Sequence, residues 1–308
     1  MQLSLFDENN ILKNTFREKM AVFDLAGARE ALRELTTKLD QTEDTYEKID
    51  AVFDLQAALA AEKHMDAKTL AELSVRLEEI KYLRPLAPEF FYLKKGFMRA
   101  ITQKIDDDPR EYIIPELHPA EVYIETMQYD KAIKSATGFI DQHGEHAFLR
   151  QLIGFAYHEK GNEPLSYKNL GSVFFHNPLQ CRERFLPPNQ IMDVLRDLKR
   201  RISNSELAWV HLPFELWKQE IITVHYDDIN YIKCITDLIS GVTSDAIRDT
   251  VGNRLLFIRL LYLAEALRLQ NIDHSKMINL RARMKAIDPD GFDEYKEVIE
   301  RTRCKRGR

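Results

Sequence analysis

Residues 147–178 read AFLRQLIGFAYHEKGNEPLSYKNLGSVFFHNP, and the spacing of their small residues, glycine and proline is the most informative pattern in the chain. Gly154 and Ser166 are small residues whose spacing suits the close approach of two antiparallel helices. Gly161 lies between them and supplies a residue that readily adopts the left-handed conformation of a turn. Pro178 cannot continue a helix and therefore ends the second one. The stretch predicts an antiparallel helix pair that turns near Gly161.

The same pattern occurs in degenerate form 34 residues earlier in the chain. Tyr123 precedes Tyr157 by this distance, and Ala132 precedes Ser166 by the same distance. A period of this length is typical of a helix–turn–helix unit, which cannot bury its apolar face alone and stacks on its neighbours. The earlier copy, residues 113–144, ends at a glycine where the later copy has its proline.

The later copy, residues 147–178, resembles a tetratricopeptide repeat. The matching positions are Ile153–Gly154, Tyr157, Gly161, Ser166, Leu170, Val173 and Pro178. The resemblance implies an all-α, superhelical stack of antiparallel helix pairs with a concave face that binds a protein or peptide segment. It also indicates which residues line that groove. They are Tyr123, Arg150, Tyr157, Lys160 and Lys168.

The rest of the chain also favours helices. Glycine and proline, 11 of each in 308 residues, are fewer than a fold with many tight turns requires. Helical spacing predicts four helices in the first 82 residues, with Asp66 as an N-cap, and a fifth from Pro88 to Ile105. The stretch from Leu255 to Leu269 is nearly apolar on all sides, which predicts a central helix. Only Trp209 to Val224 is ambiguous, because Pro213 interrupts it and its end is strand-like.

These patterns divide the chain into three parts. Residues 1–10 form a flexible N-terminal motif, residues 11–180 a repeat region of tetratricopeptide type, and residues 181–308 a helical region with a basic tail. The net charge of -5 gives no general attraction to nucleic acid. Because the first residues are acidic and no apolar run is long enough to span a membrane, we expect a cytoplasmic protein.

The sharpest short motif is Gln2–Leu3–Ser4–Leu5–Phe6. It is similar to the pentapeptide with which bacterial DNA polymerases and repair proteins dock on the sliding clamp. In such docking, an extended segment places Leu5 and Phe6 in an apolar pocket while the Gln2 amide forms hydrogen bonds. In the alternative interpretation, Leu3, Leu5 and Phe6 pack back on the first helix.

No residue pattern predicts a catalytic site, a metal site or a cofactor. His143 and His146 are separated by Gly144, which breaks a helix, and no third ligand has a supporting spacing. Cys181 and His176 lie on either side of Pro178, so we expect an inert thiol. The acidic groups Asp106–Asp108 and Asp227–Asp228 adjoin helix boundaries, where capping of backbone amides explains them.

The basic tail offers a third kind of surface. Its basic residues are Arg301, Arg303, Lys305, Arg306 and Arg308. Contact with nucleic acid through this tail would be unspecific and sensitive to salt, and a solvated helix end explains the same charges. The sequence therefore predicts a non-catalytic scaffold or adaptor that binds a protein partner and is tethered to the sliding clamp. Two alternatives stay open: an enzyme or enzyme subunit with a dispersed site, and a nucleic-acid-associated factor.

Overall fold

A computed structural model describes residues 5–38, 42–62, 65–105, 111–240 and 249–306, with the backbone alone for 5–7 and 303–306. Within these ranges the protein is all-α, and its only β feature is an isolated bridge between Ile114 and Leu117. Neighbouring helices pack in consecutive pairs, so the predicted fold class is confirmed. No helix in the described ranges has the length and apolar character that crossing a membrane requires.

The chain divides into two compact units, Met1–Ser135 and Ala136–Arg308, which we call the N-terminal and C-terminal units. The helices of the N-terminal unit are α1 (Leu5–Ala21), α2 (Leu25–Lys38), α3 (Glu43–Ala61), α4 (Ala67–Val75), two 3₁₀ segments (Leu77–Glu79 and Lys81–Glu89), α5 (Phe90–Thr102), α6 (Pro119–Glu125) and the first part of α7 (Tyr129–His143). The division falls within α7.

The N-terminal unit has its own apolar core, in which α1 packs on α2 and α5 while α2 packs on α3. The four helices predicted in the first 82 residues are present, and Asp66 caps α4 by accepting a 2.8 Å hydrogen bond from the Thr69 backbone. The fifth helix begins at Phe90 rather than Pro88. Pro85 and Pro88 instead lie in a 3₁₀ segment, which brings Glu89 to the N-cap of α5.

The C-terminal unit contains the remaining helices. They are the end of α7, α8 (Ala147–Glu159), α9 (Glu163–His176), two 3₁₀ turns (Pro178–Gln180 and Glu183–Phe185), α10 (Gln190–Arg201), α11 (Ser205–Lys218), α12 (Ile229–Ile239), α13 (Thr250–Gln270), α14 (His274–Ile287) and α15 (Pro289–Arg306). Their buried side chains form one core. The helix α13 packs on α9, α11, α12 and α14, which confirms the predicted central helix.

The helix pair of α8 and α9 has the local structure that its sequence predicts. A Cβ atom on Gly154 would lie 2.8 Å from Leu170 Cγ, so a small residue is required where the helices approach. Gly161 forms the turn with a φ of 74°, which glycine adopts without strain. The second helix ends at His176, just before Pro178.

The ambiguous stretch after Trp209 is helical up to Lys218, so the suggested interruption at Pro213 is wrong. Proline costs about 3 kcal/mol in a helix interior. Leu212, Pro213 and Phe214 are all buried, and their packing in the core outweighs that cost. The strand-like residues that follow α11 form no strand.

Candidate functional site

The candidate site is a charged cleft in the C-terminal unit, and the turn between α7 and α8 forms one side of it. Gly144, with a φ of 92°, follows the end of α7. His146 then caps α8, because its Nδ1 accepts a 3.4 Å hydrogen bond from the Leu149 backbone. Burial lowers the pKa of His146, which favours the neutral form that such a cap requires. The turn therefore fixes Glu145 and Arg150 close together.

Arg150 is held on two sides. Its Nε lies 3.0 Å from Glu145 Oε2, and its Nη2 contacts the other carboxylate oxygen, so the pair is bidentate. Its Nη1 donates a 3.5 Å hydrogen bond to Asn169 of α9. Asn169 in turn donates a 2.8 Å hydrogen bond to the Leu165 carbonyl. A guanidinium held this way has a defined direction as well as a charge.

The opposite side of the cleft is α12. Asp228 caps this helix through a 3.0 Å hydrogen bond from the Tyr231 backbone, which confirms the predicted capping role. Tyr231 is buried, and its hydroxyl donates to the Ser172 carbonyl of α9. Burial of the Tyr231 ring anchors α12 on α9 and leaves the polar face of α12 along the cleft.

The cleft has a volume of about 690 Å³. Its lining residues are Ile140, Asp141, Gly144, Glu145, Arg150, Asp228, Asn230, Lys233, Cys234, Asp237 and Leu238. Four of these carry carboxylates and two carry cations, so the lining has an excess of negative charge. Because the Glu145 carboxylate is neutralised by Arg150, the excess lies on the three aspartates.

The nucleophilic group in the cleft is Cys234, and it is not activated. Burial, together with the negative charge of Glu145, raises the pKa of its thiol. A protonated thiol is a poor nucleophile. Behind the cleft, burial and the Arg259 cation lower the pKa of His176 to about 4, which keeps that imidazole neutral near pH 7. The arrangement therefore suits charge pairing and hydrogen bonding.

The structure separates the five residues predicted to line a groove. Arg150 alone lines the cleft. Tyr123 belongs to the N-terminal unit and is only 2% exposed, so its ring has almost no surface for a partner. Tyr157 and Lys168 are half-buried, and Lys160 is exposed at the C-cap of α8. None of these four lines the cleft.

Sequence reasoning missed the contribution of α12. Asn230, Lys233 and Asp237 recur at spacings of three and four residues, which is the signature of one polar helix face. That signal was readable, but it does not reveal that the face lies opposite Arg150. Tyr231, the contact that positions α12, reaches a carbonyl 59 residues away in the sequence.

The N-terminal pentapeptide lies largely outside the described residues. Gln2, Leu3 and Ser4 fall there, and only the backbone of Leu5 and Phe6 is described, as the first two residues of α1. Docking on a clamp and packing on the first helix both stay predictions.

The basic tail is described in part. Arg301 lies in α15, and its Nε donates a 3.4 Å hydrogen bond to the Glu297 carbonyl, as in a solvated helix end. The side chains that lie outside the described set are those of Arg303, Lys305, Arg306 and Arg308. Nucleic-acid contact through this tail stays a prediction.

The remaining histidine and cysteine candidates from the sequence have structural roles. Among the described residues, no group of three or more His, Cys, Asp or Glu side chains is placed to hold a metal ion. His146 acts as a helix cap, as above, and burial raises the pKa of the Cys181 thiol far above its usual range. The acidic group Asp106–Asp108 falls outside the described ranges.

Comparison of the chain with protein-family models, curated proteins and solved structures gives no match.

Proposed function

We propose that this protein is a non-catalytic adaptor of helical-repeat type, and that its charged cleft binds a basic segment of a partner protein. The observation that carries the proposal is the excess negative charge of the cleft. Asp141 and Asp237 are exposed on its two sides, while Ile140 and Leu238 provide apolar surface beside them. Lysine and arginine side chains complement such a lining, because their stems are apolar and their ends are cationic.

The helix pair of α8 and α9 supports a repeat-type adaptor. Its close approach at Gly154, its turn at Gly161 and its stop at Pro178 are the features on which the tetratricopeptide resemblance rests. Repeats of this kind present helix faces to extended partner segments. Here the α7–α8 turn and α12 supply the polar groups, with Arg150 as an oriented donor for a partner carbonyl or carboxylate.

Selection from a displayed library of random peptides tests the proposal. We expect the full chain to enrich peptides rich in lysine and arginine, with binding that weakens as salt is added. The double variant Asp141→Lys and Asp237→Lys should weaken binding of the selected peptides at least tenfold. Glu297→Lys is the matched control, since this glutamate is exposed on α15 and away from the cleft lining.

Two outcomes contradict the proposal. One is enrichment of peptides without basic residues. The other is equal binding of the selected peptides by the cleft variant and the unchanged chain. Both aspartates are exposed, so their replacement leaves the core intact and misfolding is not expected to explain a loss.

We further propose that residues 2–6 tether the adaptor to the bacterial sliding clamp. Support comes from the agreement of all five positions with the docking pentapeptide and from the polar residues that follow it. The change Leu5→Ala with Phe6→Ala should abolish binding to purified clamp in surface plasmon resonance. Ile11→Ala, an exposed apolar position in α1, is the control. Unchanged clamp affinity in the double variant removes the tether and leaves the cleft proposal untouched.

A further inference from the structure

The N-terminal unit contains a small cavity with a buried carboxylate, one oxygen of which accepts no hydrogen bond. Glu89 lies at the end of the 3₁₀ segment, and its side chain is only 6% exposed. Its Oε2 accepts no hydrogen bond from any described residue. The nearest cations are distant for such a pair, with Lys48 Nζ at 3.7 Å and Arg17 Nη2 at 4.0 Å. A buried carboxylate oxygen without a hydrogen bond is costly, unless a ligand supplies the missing donor.

The cavity around Glu89 is small and has an apolar floor. Its volume is about 220 Å³, below the range of about 300–1,000 Å³ that is usual for drug-sized ligands. Phe16, Leu32 and Leu35, from α1 and α2, are buried and line it. A ligand of this size has room for a short aliphatic chain, and that chain gains free energy by leaving water.

The rim of the cavity carries both signs of charge. Lys13 and Arg17 come from α1, while Asp44 and Lys48 come from α3. With Glu89 included, the lining holds cationic and acidic side chains together. Lys48 already pairs with Asp44 at 3.0 Å, which leaves Arg17 as a partly exposed cation near the mouth. The cavity therefore has a carboxylate oxygen without a donor at its base and a partly exposed guanidinium at its rim.

We propose that this cavity binds a free aliphatic α-amino acid, with its ammonium group on Glu89, its carboxylate on the rim cations and its side chain on the apolar floor. A zwitterion supplies both the missing hydrogen-bond donor for Glu89 and a carboxylate for the partly exposed Arg17 in one molecule of suitable size. An ammonium held by a buried carboxylate forms a charge-assisted hydrogen bond, which is stronger than a neutral one. The proposal concerns the N-terminal unit and is independent of the cleft.

The protonation behaviour of Glu89 agrees with this geometry. Burial raises the pKa of its carboxyl, and the Lys48 and Arg17 cations oppose that effect only in part. A carboxylate with adequate partners has its pKa lowered instead. Glu89 is thus short of positive partners within an otherwise ordinary helical core.

Isothermal titration of the full chain with leucine is the test. Two analogues separate the two ends of the ligand: 4-methylpentanoate lacks the ammonium group, and 3-methylbutylamine lacks the carboxylate. We expect leucine to bind and each analogue to bind at least tenfold more weakly. Absence of heat with leucine, valine, isoleucine and methionine overturns the proposal, as does equally tight binding of 4-methylpentanoate.

Variants assign the contacts. Glu89→Gln keeps the size of the side chain and should weaken leucine binding at least tenfold. Glu78→Gln is the matched control, because Glu78 is an exposed glutamate in the preceding 3₁₀ segment. Arg17→Gln alters a partly exposed rim residue, so folding is preserved, and it should weaken leucine binding without weakening binding of 3-methylbutylamine. If both Glu89→Gln and Arg17→Gln bind leucine as the unchanged chain does, the assigned site is wrong.

Discussion

Two glycines in one helix pair should respond oppositely to the same substitution. Gly154 lies in α8, where an added Cβ atom would be 2.8 Å from Leu170 Cγ and 3.3 Å from the Leu170 backbone nitrogen. Gly171 lies in α9, where the nearest atom to an added Cβ is the Thr223 carbonyl oxygen, 3.7 Å away. The first distance is well inside normal carbon–carbon contact of about 3.5–4.0 Å, and the second is ordinary contact.

The magnitude follows from two opposing effects. Replacing glycine by alanine in a helix stabilises it by about 1 kcal/mol at either position. At Gly154 this gain is opposed by overpacking against Leu170, which is fully buried, and overpacking of a core costs about 1–3 kcal/mol. Since the helix effect is common to both variants, Gly171→Ala should be more stable than Gly154→Ala by about 1–3 kcal/mol.

Urea unfolding monitored by tryptophan fluorescence measures this difference. Both tryptophans, Trp209 and Trp217, lie in the C-terminal unit, so the signal reports on the unit that contains the substitutions. The slope with denaturant should be unchanged, which shows that the surface exposed on unfolding is the same. In a background of Leu170→Ala, the cost of Gly154→Ala should shrink, because the two closest contacts are to the Leu170 side chain and only the 3.3 Å contact to its backbone nitrogen stays. Equal stability of the two alanine variants in the unchanged background refutes the close approach of α8 and α9.

Two further predictions concern buried charge in the same unit. Asp288 pairs with the buried Arg254 at 2.5 Å and also accepts a 2.9 Å hydrogen bond from the Gly291 backbone. Asp288→Asn should lower the free energy of unfolding in urea by about 2–4 kcal/mol, because it leaves a buried cation unpaired. Asp288→Ala should lower it by about 1 kcal/mol more, because the helix cap is lost as well. Equal values for the two variants contradict the capping role. Burial is the main cause that lowers the pKa of His176 and His211 to about 4. Below about pH 6.5 the unfolded state therefore binds more protons than the folded state. The free energy of unfolding should fall as the pH drops from about 6.5 towards 4. Replacing both histidines by glutamine should flatten that fall between about pH 7 and pH 5, and an unchanged fall assigns it to other groups.

Local sequence signals predicted the helices well and failed where packing decides the outcome. Gly161 and Pro178 act on their own turn and helix end, so the sequence was sufficient to place the α8–α9 pair. Pro88 also has a strong local preference, but it is compatible with a 3₁₀ segment as well as with a helix start, and the boundary was placed two residues early. Pro213 was misjudged because burial of its neighbours overrides the local cost.

The candidate sites were less predictable than the fold. Arg150 was identified from the repeat pattern, whereas its position in the cleft depends on α12, about 80 residues later in the chain. Helical spacing assigns a polar residue to a face but does not say which other face lies opposite. Glu89 had no distinguishing signal at all, since a glutamate after a proline is ordinary in sequence. Only its burial and the distances to Lys48 and Arg17 make it unusual.

Burial of a charge is therefore not by itself a sign of function, and two of the buried ionic groups of this protein, Arg254 and Glu89, show why. Arg254 is enclosed between the rings of Phe214 and Phe257, and Asp288 lies 2.5 Å from it, so tertiary structure already supplies its counter-charge. Glu89 has only distant cations and an oxygen without a hydrogen bond, next to a cavity. A buried charge with a close partner, such as Arg254, helps to specify how the core packs. A buried carboxylate with an oxygen that accepts no hydrogen bond, such as Glu89, destabilises the free protein. A ligand that donates to that oxygen recovers this free energy on binding.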